Sequence, residues 1–143
     1  MSRPPSIVSD IMSSPVITID VETSVKEATR SMIDNKIGSI LVTRQGKPLG
    51  IVTERDLIER IVEPSRDPSK TKIKEIMSAP LITISKETGI LVAMRKMREY
   101  EISRLVVMDD DTLIGILSEK DIVRAVSISS ITSFSTLLRK KRR

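Results

Sequence analysis

The chain has 143 residues, 39% of them hydrophobic and 30% charged, with no cysteine, no histidine and only Tyr100 and Phe134 as aromatics. That balance describes a globular domain and excludes disulfides, thiolate chemistry, iron–sulfur clusters, the usual imidazole base and zinc ligand, and aromatic platforms for single-stranded nucleic acid. The formal charge of +5 resides in Arg139–Arg143, because removing those five bases from 24 leaves 19 against 19 acids.

Ser2–Ser6 is an extended lead-in. After the turn signal Ser14-Pro15, the β-rich run Val16–Ile19 predicts a first strand. Ser24–Asn35 carries Val25, Ala28, Met32 and Ile33 at helical spacing, and Ser24 with Glu27 has the capping-box pattern. Ser39–Thr43 and Leu49–Val52 read as strands around the turn Gln45–Pro48. Glu54–Val62 then reads as a helix with Leu57, Ile58, Ile61 and Val62 on one face. The stretch Glu63–Lys72, with two prolines and alternating charge, predicts a solvated linker. Beyond it follow strand Leu81–Ile84, helix Gly89–Tyr100 burying Ile90, Ala93, Met94 and Met97, strand Arg104–Met108, turn Asp109–Thr112, strand Leu113–Leu117 and helix Glu119–Val126. Residues 128–143 turn Ser/Thr-rich and then basic, and are expected to be a weakly ordered tail with a helical turn around Leu137 and Leu138.

The second half of this list copies the first. Positions 11–61 reappear as 76–126 with a constant offset of 65, no gap, and roughly a third of the paired residues identical. An internal repeat decides architecture ahead of residue-level detail. The expected domains are a repeat over 8–62, a linker over 63–72, a repeat over 73–127 and a tail over 128–143. A unit of about 50 residues buries too little apolar surface alone. The two copies are therefore expected to pack against each other with pseudo-two-fold symmetry, so that a site at their seam occurs twice.

The residues best suited to chemistry are Thr53-Glu54-Arg55-Asp56 and Ser118-Glu119-Lys120-Asp121. Each lies where a strand meets a helix N-terminus, a place whose free N–H groups and dipole favour an anion. The hydroxyl can bond a phosphate or sugar oxygen, and the carboxylate three residues on can accept two hydrogen bonds from a cis-diol. Arg55 and Lys120 stand beside them as phosphate partners. Gly50 and Gly115 would let a ligand or a neighbouring backbone come close. The competing reading is an ordinary cap, in which the carboxylate serves its own helix; duplication preserves caps as well as sites, so spacing leaves both open. A second constellation joins Thr18 and Thr83 to Ile37-Gly38-Ser39 and Ile102-Ser103-Arg104, whose backbone amides can read a purine edge. Arg104 is a phosphate candidate or else a surface strand arginine. Met12, Met32, Met77, Met94 and Met97 read as core or interface filler, and Asp109–Asp111 as a solvated turn.

The openings IMSSPVITI and IMSAPLITI, the middle strands IGSILV and ISRLVVMD and the closings GIVTERD and GILSEKD resemble a tandem cystathionine-beta-synthase (CBS) domain pair, or Bateman module. The resemblance covers roughly residues 8–127. It implies an α/β (α+β) fold of two βαββα units packed through their sheets. Two equivalent clefts would take adenosine-containing ligands: AMP, ADP or ATP, and in some members S-adenosylmethionine or NAD. It also implies that Thr53/Asp56 and Ser118/Asp121 hold ribose and phosphate, and that backbone near Thr18, Ile37–Ser39, Pro80, Thr83 and Ile102–Arg104 holds the base. The middle strands lack a proline frequent in the family, and Gly38-Ser39 supplies no phosphate-binding cation.

The expected function is a non-catalytic sensor, with no required cofactor or metal, that binds an adenine nucleotide, forms a homodimer and signals to a separate partner. The alternative is an interaction or nucleic-acid adaptor acting through Arg139–Arg143, whose five charges suit a salt-dependent phosphate contact. A carboxylate-based enzyme has no activated nucleophile to support it. No apolar run approaches the roughly 18 residues of a membrane span and no signal-peptide pattern opens the chain, so a cytoplasmic protein with no membrane partner is expected.

Overall fold

The computed structural model describes residues 5–128, so the lead-in before Pro5 and the expected tail features at Leu137, Leu138 and Arg139–Arg143 lie outside the described residues. Within it are two three-stranded sheets, each with the middle strand of its repeat at the centre. The first sheet comprises β1 (Thr18–Asp20), β2 (Ser39–Arg44) and β3 (Lys47–Thr53). β1 runs parallel to β2 through the crossover helix α1 (Val25–Asp34), and β3 returns antiparallel. The second sheet comprises β4 (Thr83–Ser85), β5 (Arg104–Asp109) and β6 (Thr112–Ser118), with α3 (Ile90–Tyr100) as its crossover. α2 (Glu54–Leu57) follows β3, and the helix α4 over 119–128 follows β6.

The elements form for local reasons. Gln45 and Gly46 both take positive φ, the signature of a tight hairpin turn, which brings Pro48 into β3 rather than leaving it in the loop. Apolar alternation in β2 and β3 sends Ile40, Val42 and Val52 into one core with Val25, Ala28 and Met32 of α1. α1 starts at Ser24, whose hydroxyl accepts the Glu27 N–H; no reciprocal bond from the Glu27 carboxylate accompanies it, so the expected capping box is half made.

Three expectations are corrected here. Ile33 and Met94 were placed on buried helix faces, yet Ile33 is 60% and Met94 40% exposed. A helix turns about 100° per residue, so Ile33 lies off the stripe of Val25, Ala28 and Met32, and Met94 off that of Ala93 and Met97. The helix expected over Glu54–Val62 changes to a π-helical turn at Ile58–Val62, leaving Ile61 buried while Ile58 and Val62 face outward. Third, the linker does more than meet solvent. Pro68 and Thr71 offer their carbonyls to the N–H groups of Lys26 and Val25, satisfying the open first turn of α1, and Thr71 is buried.

The chain divides into two compact units that do not follow the repeats. One spans Val16–Ile82; the other joins the segment ending at Pro15 to the residues from Thr83 onward. Each sheet therefore carries the opening segment, here called the lead, of the other repeat. Ile73 and Ile76, which open the second copy, sit in the core of the first-sheet unit. Val8, from the first copy, is fully buried in the second-sheet unit and donates its N–H to the Thr88 carbonyl. Both leads contain an X-Pro cis peptide, Ser14-Pro15 and Ala79-Pro80.

Candidate functional site

In the first-sheet unit the lead pairs with the outer edge of β3. Ser78 and Ile51 exchange both backbone hydrogen bonds, at 2.9 and 3.0 Å. Ser13 and Ile116 do the same on β6 in the second-sheet unit, at 2.9 and 3.0 Å. These pairings cover two sheet edges that would otherwise expose open donors and acceptors. They also account for the glycines: a Cβ on Gly50 would stand 2.7 Å from the Met77 sulfur and 2.9 Å from the Ser78 carbonyl oxygen. On Gly115 it would stand 2.5 Å from the Met12 sulfur. The close approach inferred from these glycines is thus made by the leads, and Met12 and Met77 are the side chains laid over them.

The lead brings its serine to the motif. Asp56 is buried, and its Oδ2 accepts hydrogen bonds from the Thr53 backbone N–H at 2.9 Å and the Thr53 hydroxyl at 3.3 Å, while the Asp56 N–H donates to that hydroxyl oxygen. Oδ1 accepts from the Ser78 hydroxyl at 3.4 Å. In the second-sheet unit, buried Asp121 accepts the Ser118 N–H on Oδ2 at 2.8 Å and the Ser13 hydroxyl on Oδ1 at 3.3 Å, and its own N–H donates to the Ser118 hydroxyl. The capping arrangement weighed against ligand binding is therefore present in both copies. One oxygen of each carboxylate belongs to the cap; the other takes a long contact from a serine, exposed Ser13 or half-buried Ser78, and at Asp56 it also has Arg60 Nε 3.9 Å away.

The strand starts converge on the same place. Ser39 is paired with Thr53 and Arg104 with Ser118 across the ladders, while the Gly38 and Ser103 carbonyls accept the first helical N–H groups, from Glu54 and Glu119. Ile37 and Ile102 precede them, half-buried. Thr18 and Thr83 begin the parallel partner strands, exposed, two residues further along the ladder from Ser39 and Arg104. Pro80 is exposed on the lead just past Ser78. Arg104 donates to the Ser103 hydroxyl at 3.3 Å. Arg55 points elsewhere: it forms a 2.7 Å ion pair with Glu59 one turn along, which raises its pKa further. Lys120 is exposed.

Sequence reasoning missed Ser13, Ser78 and Arg60. The serines carry a signal in hindsight, since IMS opens both copies at matched positions. Arg60, which donates to the Ile76 and Met77 carbonyls at 2.7 and 3.2 Å, does not, because its paired position is Ala125. The Asp109–Asp111 turn has Asp109 paired with Lys86, and no group of three or more acidic, His or Cys side chains suited to a metal ion occurs among the described residues.

Known proteins show the same organisation. The CBS domain family matches residues 8–63 and again 73–128. A mitochondrial CBS domain-containing protein of Arabidopsis thaliana, CBSX3, is 34% identical over 131 residues; the match covers 83% of this chain and 64% of that protein, so this chain spans under two thirds of its length. The crystal structure of an uncharacterized conserved protein from Pyrococcus horikoshii superposes with a TM-score of 0.79 at 27% identity, covering 85% of this chain and 92% of that one. The CBS domain pair of protein MJ0100, solved in complex with 5′-methylthioadenosine and S-adenosyl-L-methionine, superposes with a TM-score of 0.78 at 30% identity, covering 88% and 99%. With two family matches in register with its internal repeat and the α+β fold of those structures, this chain belongs to the CBS domain family and carries the domain as a tandem pair.

Proposed function

We propose that the chain is a non-catalytic regulatory module that takes an adenosine-containing ligand at its Ser/Thr-x-x-Asp motifs and passes that occupancy to a partner protein. The observation that carries this reading is the half-committed carboxylate. In each motif a buried aspartate keeps one oxygen for its helix and turns the other to a long serine contact that a ligand hydroxyl can replace, with Arg60 Nε as a further neighbour at 3.9 Å on Asp56. The strand residue beside it, Ser39 or Arg104, and the backbone at Gly38 and Ser103 lie within the same few residues. The adenosine compounds bound to the MJ0100 pair make that chemical class the first to test. AMP, ADP, ATP, S-adenosylmethionine and NAD all carry the required diol.

A ligand can shift a protein between arrangements only through its differential affinity for them. The consequence therefore has to leave the module through an outward-facing surface. Ile33, Ile58 and Val62 form such an apolar surface, 60–68% exposed, beside a concavity of about 910 Å³ lined by α1, the π-helical turn and Pro68-Ser69. We assign that surface to a second copy of the chain.

The test is a melting screen across the five compounds. A true ligand at about 100 times its dissociation constant stabilises the fold by roughly 2.7 kcal/mol. The 2′-deoxy form of the best compound is expected to bind more weakly, since it leaves a carboxylate oxygen unpaired. No stabilisation by any of the five would defeat the sensor reading, and equal affinity for the ribose and deoxy forms would defeat the role of the aspartates.

A further inference from the structure

Both motifs build the cap from a hydroxyl residue and an aspartate three residues on, Thr53/Asp56 and Ser118/Asp121, and among the positions that differ are 60 and 125. In the first-sheet unit Arg60 donates through Nη1 to the carbonyls of Ile76 at 2.7 Å and Met77 at 3.2 Å, and its Nε stands 3.9 Å from Asp56 Oδ1. One guanidinium thus bonds the lead and stands at the edge of ion-pair distance from the motif's carboxylate. In the second-sheet unit the matched residue is Ala125, whose methyl group donates nothing.

The leads differ in the same direction along their length. Lys72 and Lys74 both pair with Glu22, and Arg66 pairs with Glu75. The matched residues of the two lysines in the other lead are Ile7 and Ser9, which cannot form those pairs although the matched acid, Glu87, is retained. The backbone exchange with the sheet edge and the serine–aspartate contact are alike in both. What separates them is the set of contacts made by Arg60 and by the Glu22 cluster.

A second asymmetry runs the opposite way. The residue paired with the motif's hydroxyl residue across the ladder is Ser39 in the first sheet and Arg104 in the second. Arg104 spends one hydrogen bond on the exposed Ser103 hydroxyl. The first-sheet unit consumes its cation on the lead's own carbonyls; the second-sheet unit keeps its cation on the strand beside the cap.

We infer that Arg60 determines which motif is used: it locks the Asp56 motif in its structural, capping role and leaves the Asp121 motif, with Arg104 beside it, as the one that accepts a phosphate-bearing adenosine ligand. This rests on the function proposed above. Among the described residues, a ligand hydroxyl arriving at Asp121 Oδ1 meets the Ser13 hydroxyl as the group to displace. At Asp56 it also competes with a guanidinium and with a lead tied down by ion pairs. The chain therefore takes one equivalent of nucleotide and not two.

The experiment has two readouts on the full chain. Calorimetric titration with AMP and with ATP is expected to give one equivalent per chain for the wild type. Ala125→Arg, which installs the lock at the open motif, is expected to weaken binding by about tenfold or more, the effect of one charge-assisted hydrogen bond. Arg60→Ala is expected to raise uptake towards two equivalents, so the inference stays testable if Ala125→Arg folds poorly. Two equal equivalents in the wild type, or a wild-type stoichiometry unchanged by Arg60→Ala, overturns it. The second readout uses no nucleotide. Amide exchange is expected to be faster at Ser13 than at Ser78, and Arg60→Ala is expected to bring Ser78 towards Ser13. Equal protection in the wild type overturns the lock itself. A chain that binds neither AMP nor ATP overturns the choice of the Asp121 motif for a phosphate-bearing ligand, the five-compound screen deciding the proposed function separately, while the exchange difference still reads the lock.

Discussion

At Gly50 the absence of a side chain is structural. A methyl group there would meet the Met77 sulfur at 2.7 Å and, less forgivingly, the Ser78 carbonyl oxygen at 2.9 Å, which belongs to a backbone pair that cannot swing aside. Gly50→Ala is expected to destabilise the fold by about 1–3 kcal/mol, the usual cost of overpacking, read as a lower urea midpoint at unchanged slope. An unchanged midpoint would mean that the lead does not sit on β3. The same contact shows why the site was only half legible. Thr53, Asp56, Ser118 and Asp121 announce themselves by type and spacing, because a helix start needs a hydroxyl and an acid three residues apart whatever else it does. Ser13 and Ser78 lie 108 and 22 residues from their aspartates, a separation no local pattern encodes.

Among the elements, α1 and α3 are the same helix begun in two ways. α1 opens on Ser24, which accepts the Glu27 N–H, whereas α3 opens on Gly89, which has extended backbone angles and nothing to offer its third N–H. The space is free, since the nearest atom to a new Cβ, the Ser6 carbonyl oxygen, lies 4.0 Å away. Gly89→Ser is expected to stabilise by a few tenths of a kcal/mol, raising the melting temperature; a lower melting temperature would count against a simple missing cap. The lead of the second repeat supplies another test. Hydrogen bonds from Lys72 and then Lys74 hold the Glu22 carboxyl down to about 2 from 4.5. In that interval the unfolded chain binds more protons than the folded one, so the contribution of this cluster is complete above about pH 4.5 and disappears as pH falls towards 2. Carboxyl NMR is expected to show Glu22 titrating well below 4.5, and returning towards that value in Lys72→Ala/Lys74→Ala. A wild-type midpoint near 4.5 would remove the cluster from any role in holding the lead. Helix and strand types were legible from hydrophobic period in nearly every case. The misplacements of Ile33 and Met94 came from admitting one apolar residue too many to a stripe, which burial decides and composition does not.

For the whole molecule, the proposed second copy is tested at the exposed apolar residues Ile33 and Val62. A second copy on that surface predicts a dimer by light scattering, reduced to a monomer by Ile33→Asp/Val62→Asp with the fold retained by circular dichroism. A monomeric wild type would leave that surface without its assigned occupant. Among the described residues no helix is long and apolar enough to cross a membrane. The amino-acid sequence alone determined that the chain is a duplicated βαββα unit of the CBS family with an acid and a hydroxyl at each closing helix, because repeat offset, period and cap spacing are all local quantities. Only the tertiary structure decided that each repeat gives its opening segment to the other sheet, and that a serine from that segment reaches each aspartate. It alone also showed that Arg60 bonds the carbonyls of one lead, Ile76 and Met77. Those facts depend on which distant segment fills an open sheet edge, and a edge strand's free N–H and C=O groups accept any partner that shape allows.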